Sequence, residues 1–166
     1  MENNVLKDFT AYVEYFCSIH KQIAHTKDKK HFVRLDSQEL SQSLTTVLYF
    51  PVVTLEKLTA SYSDQVDSPL KTRHIEMLFL DKVPDPGDFK KIEEIQSEME
   101  RIAESFIFKT KKMKRNPAFS VLRNLRLTNV EIDYVSNIAT LLWGVLLSFD
   151  LETPIMECIN DNDFIN

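Results

Sequence analysis

The chain has 166 residues, 43% of them hydrophobic and 27% charged, with a formal net charge of −5. That composition belongs to a folded domain, long enough to bury about two thirds of the surface its extended chain would expose. The negative balance argues against nucleic-acid binding by the chain as a whole, and the presence of only 2 glycines, Gly87 and Gly144, excludes the glycine-rich phosphate loops of P-loop and dinucleotide-binding folds.

The first element is a helix capped by Asn3 or Asn4 and running to about His25. Val5, Leu6, Phe9, Tyr12, Val13, Phe16, Ile19, His20 and Ile23 recur at helical spacing and make one broad apolar face. Such a face is buried in its own domain or docked on a neighbouring subunit. A polar loop follows at residues 25–30. Residues 31–36 read as a short strand with Phe32 and Val33 as burial candidates, and residues 37–44 as a brief helical turn capped by Asp36 or Ser37. The run TTVLYFPVVTLEKLTASYSD is β-prone, and Pro51 in its middle implies an edge position or a bulge. Residues 64–69 form a turn.

Residues 71–81 are the next strand. Ile75, Met77 and Phe79 share one face, while Leu78 and Leu80 make its second half apolar on both, the mark of a central strand. The organising helix spans residues 88–113, with Phe89, Ile92, Ile95, Met99, Ile102, Phe106 and Ile107 on one stripe. Asp85 before Pro86, or Asp88, offers the N-cap. Acids crowd its front and lysines its end, as the helix dipole favours, and Asn116-Pro117 stops it. Residues 121–134 read as a strand whose apolar phase switches from Leu125 and Leu127 to Val130, Ile132 and Tyr134. That change of parity predicts a β-bulge near Thr128-Asn129. The last strand, WGVLLSFDLETP, alternates Val145, Leu147, Phe149 and Leu151 with Leu146, Ser148, Asp150 and Glu152. Residues 1–155 thus form one α+β domain: an antiparallel or mixed sheet of four to five strands, with the N-terminal helix and one long central helix packed on one face. Residues 156–166 read as an acidic, flexible tail.

The search for chemistry gives little. His20 and His25 are five apart and do not share a helix face, so they make no metal pair. His74 opens a strand and reads as a surface residue. Cys17 and Cys158 read as reduced structural thiols. Glu93, Glu94, Glu98 and Glu100 read as a solvated helix face, and the acidic tail lacks the glycine and closing glutamate of a calcium loop. These readings point to a protein that is not an enzyme and carries no cofactor and no metal. No leader or membrane-spanning run is visible, since the most apolar stretch is well short of the ~20 residues a bilayer requires; cytoplasmic synthesis is the expectation. The one strong charge asymmetry is the cluster Lys109, Lys111, Lys112, Lys114, Arg115, Arg123 and Arg126. It suits the helix dipole, an acidic partner subunit, or phosphates, with Phe108 and Phe119 as stacking residues.

The order of elements, together with the closing segments NVEIDYVSN and LWGVLLSFDLETP, resembles the tail-terminator (tail-completion) and related neck proteins of tailed bacteriophages. The likeness covers most of the chain as a pattern. It implies a non-catalytic virion subunit, made in the cytoplasm of a bacterial host, that forms a ring and joins the tail tube to the head connector. The partners implied are copies of itself and neighbouring tail or neck proteins. By position in that pattern, the interface residues are Phe9, Tyr12 and Phe16 of the first helix and Lys109, Lys111, Lys112, Lys114 and Arg115. The alternative is a small intracellular binding module that contacts nucleic acid through the cluster from Lys109 to Arg126.

Overall fold

The structure, a computed structural model, describes residues 5–34, 48–56, 58–63, 70–123, 126–138 and 141–154. The turns expected at 37–44 and 64–69, the tail and Cys158 lie outside the described residues. In chain order the elements are α1 (Val5–Ile19), β1 (Lys30–Val33), β2 (Leu48–Leu55), β3 (Thr59–Ser63), β4 (Leu70–Lys82), α2 (Phe89–Met113), a 3-10 turn (Pro117–Phe119), α3 (Ser120–Arg123), β5 (Arg126–Ile138) and β6 (Leu142–Pro154). This is an α+β domain with a mixed six-stranded sheet in the order β1-β2-β4-β6-β5, with β3 also on β4.

β4 is the hub, as its two apolar faces predict. It pairs antiparallel with β6 without a break, from Leu70↔Pro154 to Lys82↔Leu142. Its other edge carries β2 (Val52↔Leu80 to Leu55↔Met77) and then β3 (Thr59↔His74 to Ser63↔Leu70). The β-prone run is therefore two strands laid end to end along one edge. β1 pairs parallel with β2, and the register shifts between Lys30↔Leu48 and Phe32↔Val53. Pro51, which has no N–H to give a ladder, sits inside that irregularity. Its carbonyl accepts a hydrogen bond from His31 Nδ1 at 2.8 Å.

Three boundaries differ from the sequence expectation, each for a local reason. α1 stops at Ile19, because the His20 carbonyl accepts the N–H groups of both Ile23 and Ala24 and Ala24 takes a positive φ of 49°. Ile23, counted on the helical stripe, is buried from the turn beyond it. Phe89 is also off its stripe, 75% exposed; burial along α2 starts one turn later at Ile92. At the other end, Val121–Arg123 are helical rather than extended. The Asn116 side chain caps the 3-10 turn by accepting from Ala118 N at 3.0 Å, with Pro117 at its first position, and Leu122 is buried in the helical turn that follows. Asp88, not Asp85, caps α2, accepting from Lys91 N at 3.0 Å.

The β-bulge falls where the parity change places it. Register in β5 against β6 shifts between Thr128 and Glu131, and Asn129 turns the chain with φ of 50°. The core lies between the sheet and the two long helices. Ile75, Met77 and Phe79 of β4 and Val145, Leu147, Phe149 and Leu151 of β6 meet α1 and α2 there. Phe106 is its centre, in ring contact with Tyr12, Phe16, Phe79 and Phe149 at 5.1 to 6.5 Å. The opposite sheet face carries a smaller cluster, Val52, Leu78, Leu80 and Leu142.

Candidate interaction surfaces

The aromatic residues expected at a subunit interface are taken up by the chain itself. Phe9, Tyr12 and Phe16 are 1%, 0% and 2% exposed. Their spacing put them on one helix face, and α2 with β6 consumes that face. Phe9 packs on Phe149, and the Tyr12 hydroxyl is 2.9 Å from Thr110 Oγ1. Because Thr110 already donates to the Phe106 carbonyl (2.7 Å), Tyr12 is the donor in that pair. Burial pushes the Tyr12 phenol up to about 12, which keeps it neutral. Cys17 is free and buried; burial, and secondarily Glu14, raises its thiol, so it is an inert part of the core.

The basic cluster stays at the surface. Lys111, Lys112, Arg115, Arg123 and Arg126 are exposed and Lys109 and Lys114 half-buried, on the last turn of α2, the short helical turns after it and the start of β5. Within the described residues none of the seven lies within ion-pair distance of an acid. No acid occurs at all between Glu104 and Glu131. Of the two candidate stacking rings, Phe108 is exposed, while Phe119 is packed between Tyr12 and Tyr15 at 5.2 and 4.8 Å.

The acids of α2 divide. Glu93, Glu94 and Glu104 are exposed, as a solvated face requires, but Glu98 accepts from the Gln22 amide and Glu100 from the Tyr134 hydroxyl at 2.8 Å. Two histidines make carboxylate contacts that the sequence did not announce, because their partners are distant in the chain. His74 lies within β4, directly opposite Asp150 of β6, with Nδ1 2.9 Å from Asp150 Oδ1 and Nε2 3.5 Å from Glu76. Asn129, projected by the β5 bulge, donates to the other Asp150 oxygen at 2.8 Å. His74 is raised, chiefly by its hydrogen bond to Asp150, and Asp150 is lowered, first by Asn129 and then by His74.

The second is His25. Beyond α1 the chain folds back, with His25 N donating to the Cys17 carbonyl, and the ring is set against the helix. Its Nδ1 accepts the N–H groups of His31 and Phe32 at 3.0 and 3.1 Å. That places the ring proton on Nε2, 3.6 Å from Glu14 Oε1. Only the order of residues 14, 25 and 31–32 around a turn assembles this pair, which is why spacing along a helix could not reveal it. Among the described residues no group of three His, Cys, Asp or Glu is placed to hold a metal, and no helix is long and apolar enough to cross a membrane. No family model matches the chain, and no curated protein matches it at a significant level.

Proposed function

We propose that the chain is a non-catalytic structural subunit that assembles head to tail into a ring, as a tail-terminator or neck component of a phage virion between tail tube and head connector. The observation that carries this reading is the separation of charge along α2. Residues 85–104 hold seven acids, Asp85, Asp88, Glu93, Glu94, Glu98, Glu100 and Glu104, against the three cations Lys90, Lys91 and Arg101, whereas residues 105–130 hold seven cations and no acid. The helix has 25 residues and is about 37 Å long at 1.5 Å per residue; the acids precede it and run along its first two thirds, and the cations gather at its end. Opposite charges on opposite ends of one subunit favour contact between unlike surfaces of neighbouring copies, and such contacts close into rings when the rotation permits. The unpaired lysines, rather than the buried aromatics of α1, are the interface residues in this reading.

Light scattering over a wide concentration range at low salt tests it, with negative-stain imaging of the largest species. Mass climbing to a fixed multiple, reversed by salt and by Lys111→Glu/Lys112→Glu, is the expected result. A monomer at every concentration, or self-association indifferent to both salt and charge reversal, overturns it. The same unpaired cations beside the exposed Phe108 favour one second reading, a nucleic-acid-binding module. It requires DNA or RNA affinity that falls steeply with salt and drops when Lys111, Lys112 and Lys114 become Ala.

A further inference from the structure

We infer that the hollow between α1 and the start of β1 is a binding site for a phosphate-bearing nucleotide, either free or part of a nucleic-acid strand. It is independent of the assembly reading and uses none of the basic end of α2. Lys27, Lys30 and Arg34 line one cavity of about 420 Å³ together with Glu14 and His25. Within the described residues none of the three cations is ion-paired. Three cations against one carboxylate leave the hollow with an excess of positive charge that an entering dianion offsets. A volume of that size is at the lower end of small-molecule sites.

The neutral donors and acceptors are placed as well. His25 is rigid, because two backbone N–H groups hold its Nδ1, and its Nε2–H points to Glu14 across 3.6 Å. That gap is too long for a good hydrogen bond, so both the N–H and the carboxylate keep capacity for a ligand. Lysine and arginine side chains take the place that glycine-rich backbone has in other phosphate sites.

His25, Glu14 and Lys27 also line a second, adjoining hollow of about 330 Å³, where Tyr15 and Ser18 stand in place of Lys30 and Arg34. Tyr15 is exposed, and its ring is fixed by Phe119 at 4.8 Å. An exposed ring held in place is a stacking platform for a base. Glu14, between the two hollows, accepts from a sugar hydroxyl or an exocyclic amine. The arrangement sets the direction of binding: phosphate toward Lys30 and Arg34, base toward Tyr15, with Lys27 between them. Inorganic phosphate fills only the first half.

The experiment is a calorimetric and amide-shift titration of the full chain with inorganic phosphate, adenosine, adenosine monophosphate and a short oligodeoxynucleotide. Lys30→Ala/Arg34→Ala and Tyr15→Ser, all at exposed positions, are the test variants, with Lys111→Ala/Lys112→Ala marking the competing basic cluster and the exposed Lys90→Ala as control. The nucleotide is expected to bind more tightly than phosphate or adenosine. Lys30→Ala/Arg34→Ala should weaken it at least about tenfold, Tyr15→Ser should erase its advantage over phosphate, and the control should change nothing. An oligonucleotide that binds more tightly still, with the same sensitivity, identifies a strand as the source; equal affinity identifies the free nucleotide. Absence of saturable binding by all four ligands overturns the proposal. Binding that survives Lys30→Ala/Arg34→Ala, or that is lost only in Lys111→Ala/Lys112→Ala, overturns it too and, in the latter case, moves the site to the end of α2. A chain that fails to form rings leaves these readouts unaffected.

Discussion

The two faces of the sheet are built from alternate residues of the same strands, yet they hold different things. On the helix-covered face Ile75, Met77 and Phe79 lie beside Val145, Leu147, Phe149 and Leu151, and every one is buried. On the other face the same two strands contribute Leu78, Leu80 and Leu142, then change to His74, Glu76, Asp150 and Glu152 toward the opposite end. One face is a continuous core capped by rings. The other is apolar for half its length and polar for the rest, so stability and surface chemistry are separated by strand parity alone.

The seam common to both faces is the place where the largest effect is expected. Gly144 pairs with Leu80, and a Cβ added there would stand 1.9 Å from the Phe79 carbonyl oxygen, a backbone atom that cannot turn aside. Gly144→Ala must therefore pry β4 from β6, the pairing that joins the two halves of the sheet. A loss of roughly 4 kcal/mol or more, or no folded protein, is expected. Denaturant unfolding that leaves the variant within about 1 kcal/mol of the parent would show that the seam yields.

The next test weighs the faces against each other. Phe106→Ala removes a ring that touches four others and should cost about 3–5 kcal/mol. Leu80→Ala removes one member of a cluster whose other fully buried members are Val52, Leu78 and Leu142; about 2–3 kcal/mol is expected, because half-buried neighbours can close in. Equal losses would mean that the second face is as tightly packed as the first. A finer test lies within the helix-covered face. Thr110→Val keeps the shape but leaves the buried Tyr12 hydroxyl without its acceptor, at a cost of about 1–3 kcal/mol; Tyr12→Phe, which removes the donor instead, should cost less, about 0.5–1.5 kcal/mol. The reverse order would reassign the donor in that pair.

How much of this was legible beforehand follows the range of the interactions. α2, the centrality of β4, the alternation of β6 and the bulge at Thr128-Asn129 were all readable, because each is written in periodicity within one segment. The end of α1 and the helical turn at Val121–Arg123 were not. A positive φ at Ala24 and a cap on Asn116 decide them, and apolar spacing continues across both. The interface residues divide the same way. The Lys109–Arg115 charges are at the surface because the helix dipole and the lack of nearby acids keep them there. Phe9, Tyr12 and Phe16 face inward because a helix stripe tells which residues share a side, not what covers it. His74 with Asp150, and Glu14 with His25, could not be foreseen: strand register makes the first contact and a turn reversal the second.

The smallest effect belongs to the polar half of the second face and is seen as a pH dependence. His74 is raised above its ordinary 6.5, chiefly by the hydrogen bond to Asp150, while Asp150 is held below its ordinary 3.8 by Asn129 and then His74. A raised histidine contributes stability that is full below about 6.5 and is lost as pH climbs through the raised value. A lowered carboxylate contributes stability that is present above about 3.8 and is lost as pH falls through the lowered value. The pair is therefore worth most between those limits. Because His74 and Glu76 are exposed, solvent screening holds the gain to no more than about 1 kcal/mol. Urea midpoints from about pH 5.5 to about pH 8 should fall slightly in the parent chain and fall less in His74→Gln, which can still hydrogen-bond to Asp150 but does not titrate there. Identical slopes in the two proteins would show that the imidazole stays as free in the fold as in the unfolded chain. A steeper slope in His74→Gln would mean that the histidine opposes another titrating group instead, and would remove the pH-sensitive character from that half of the face.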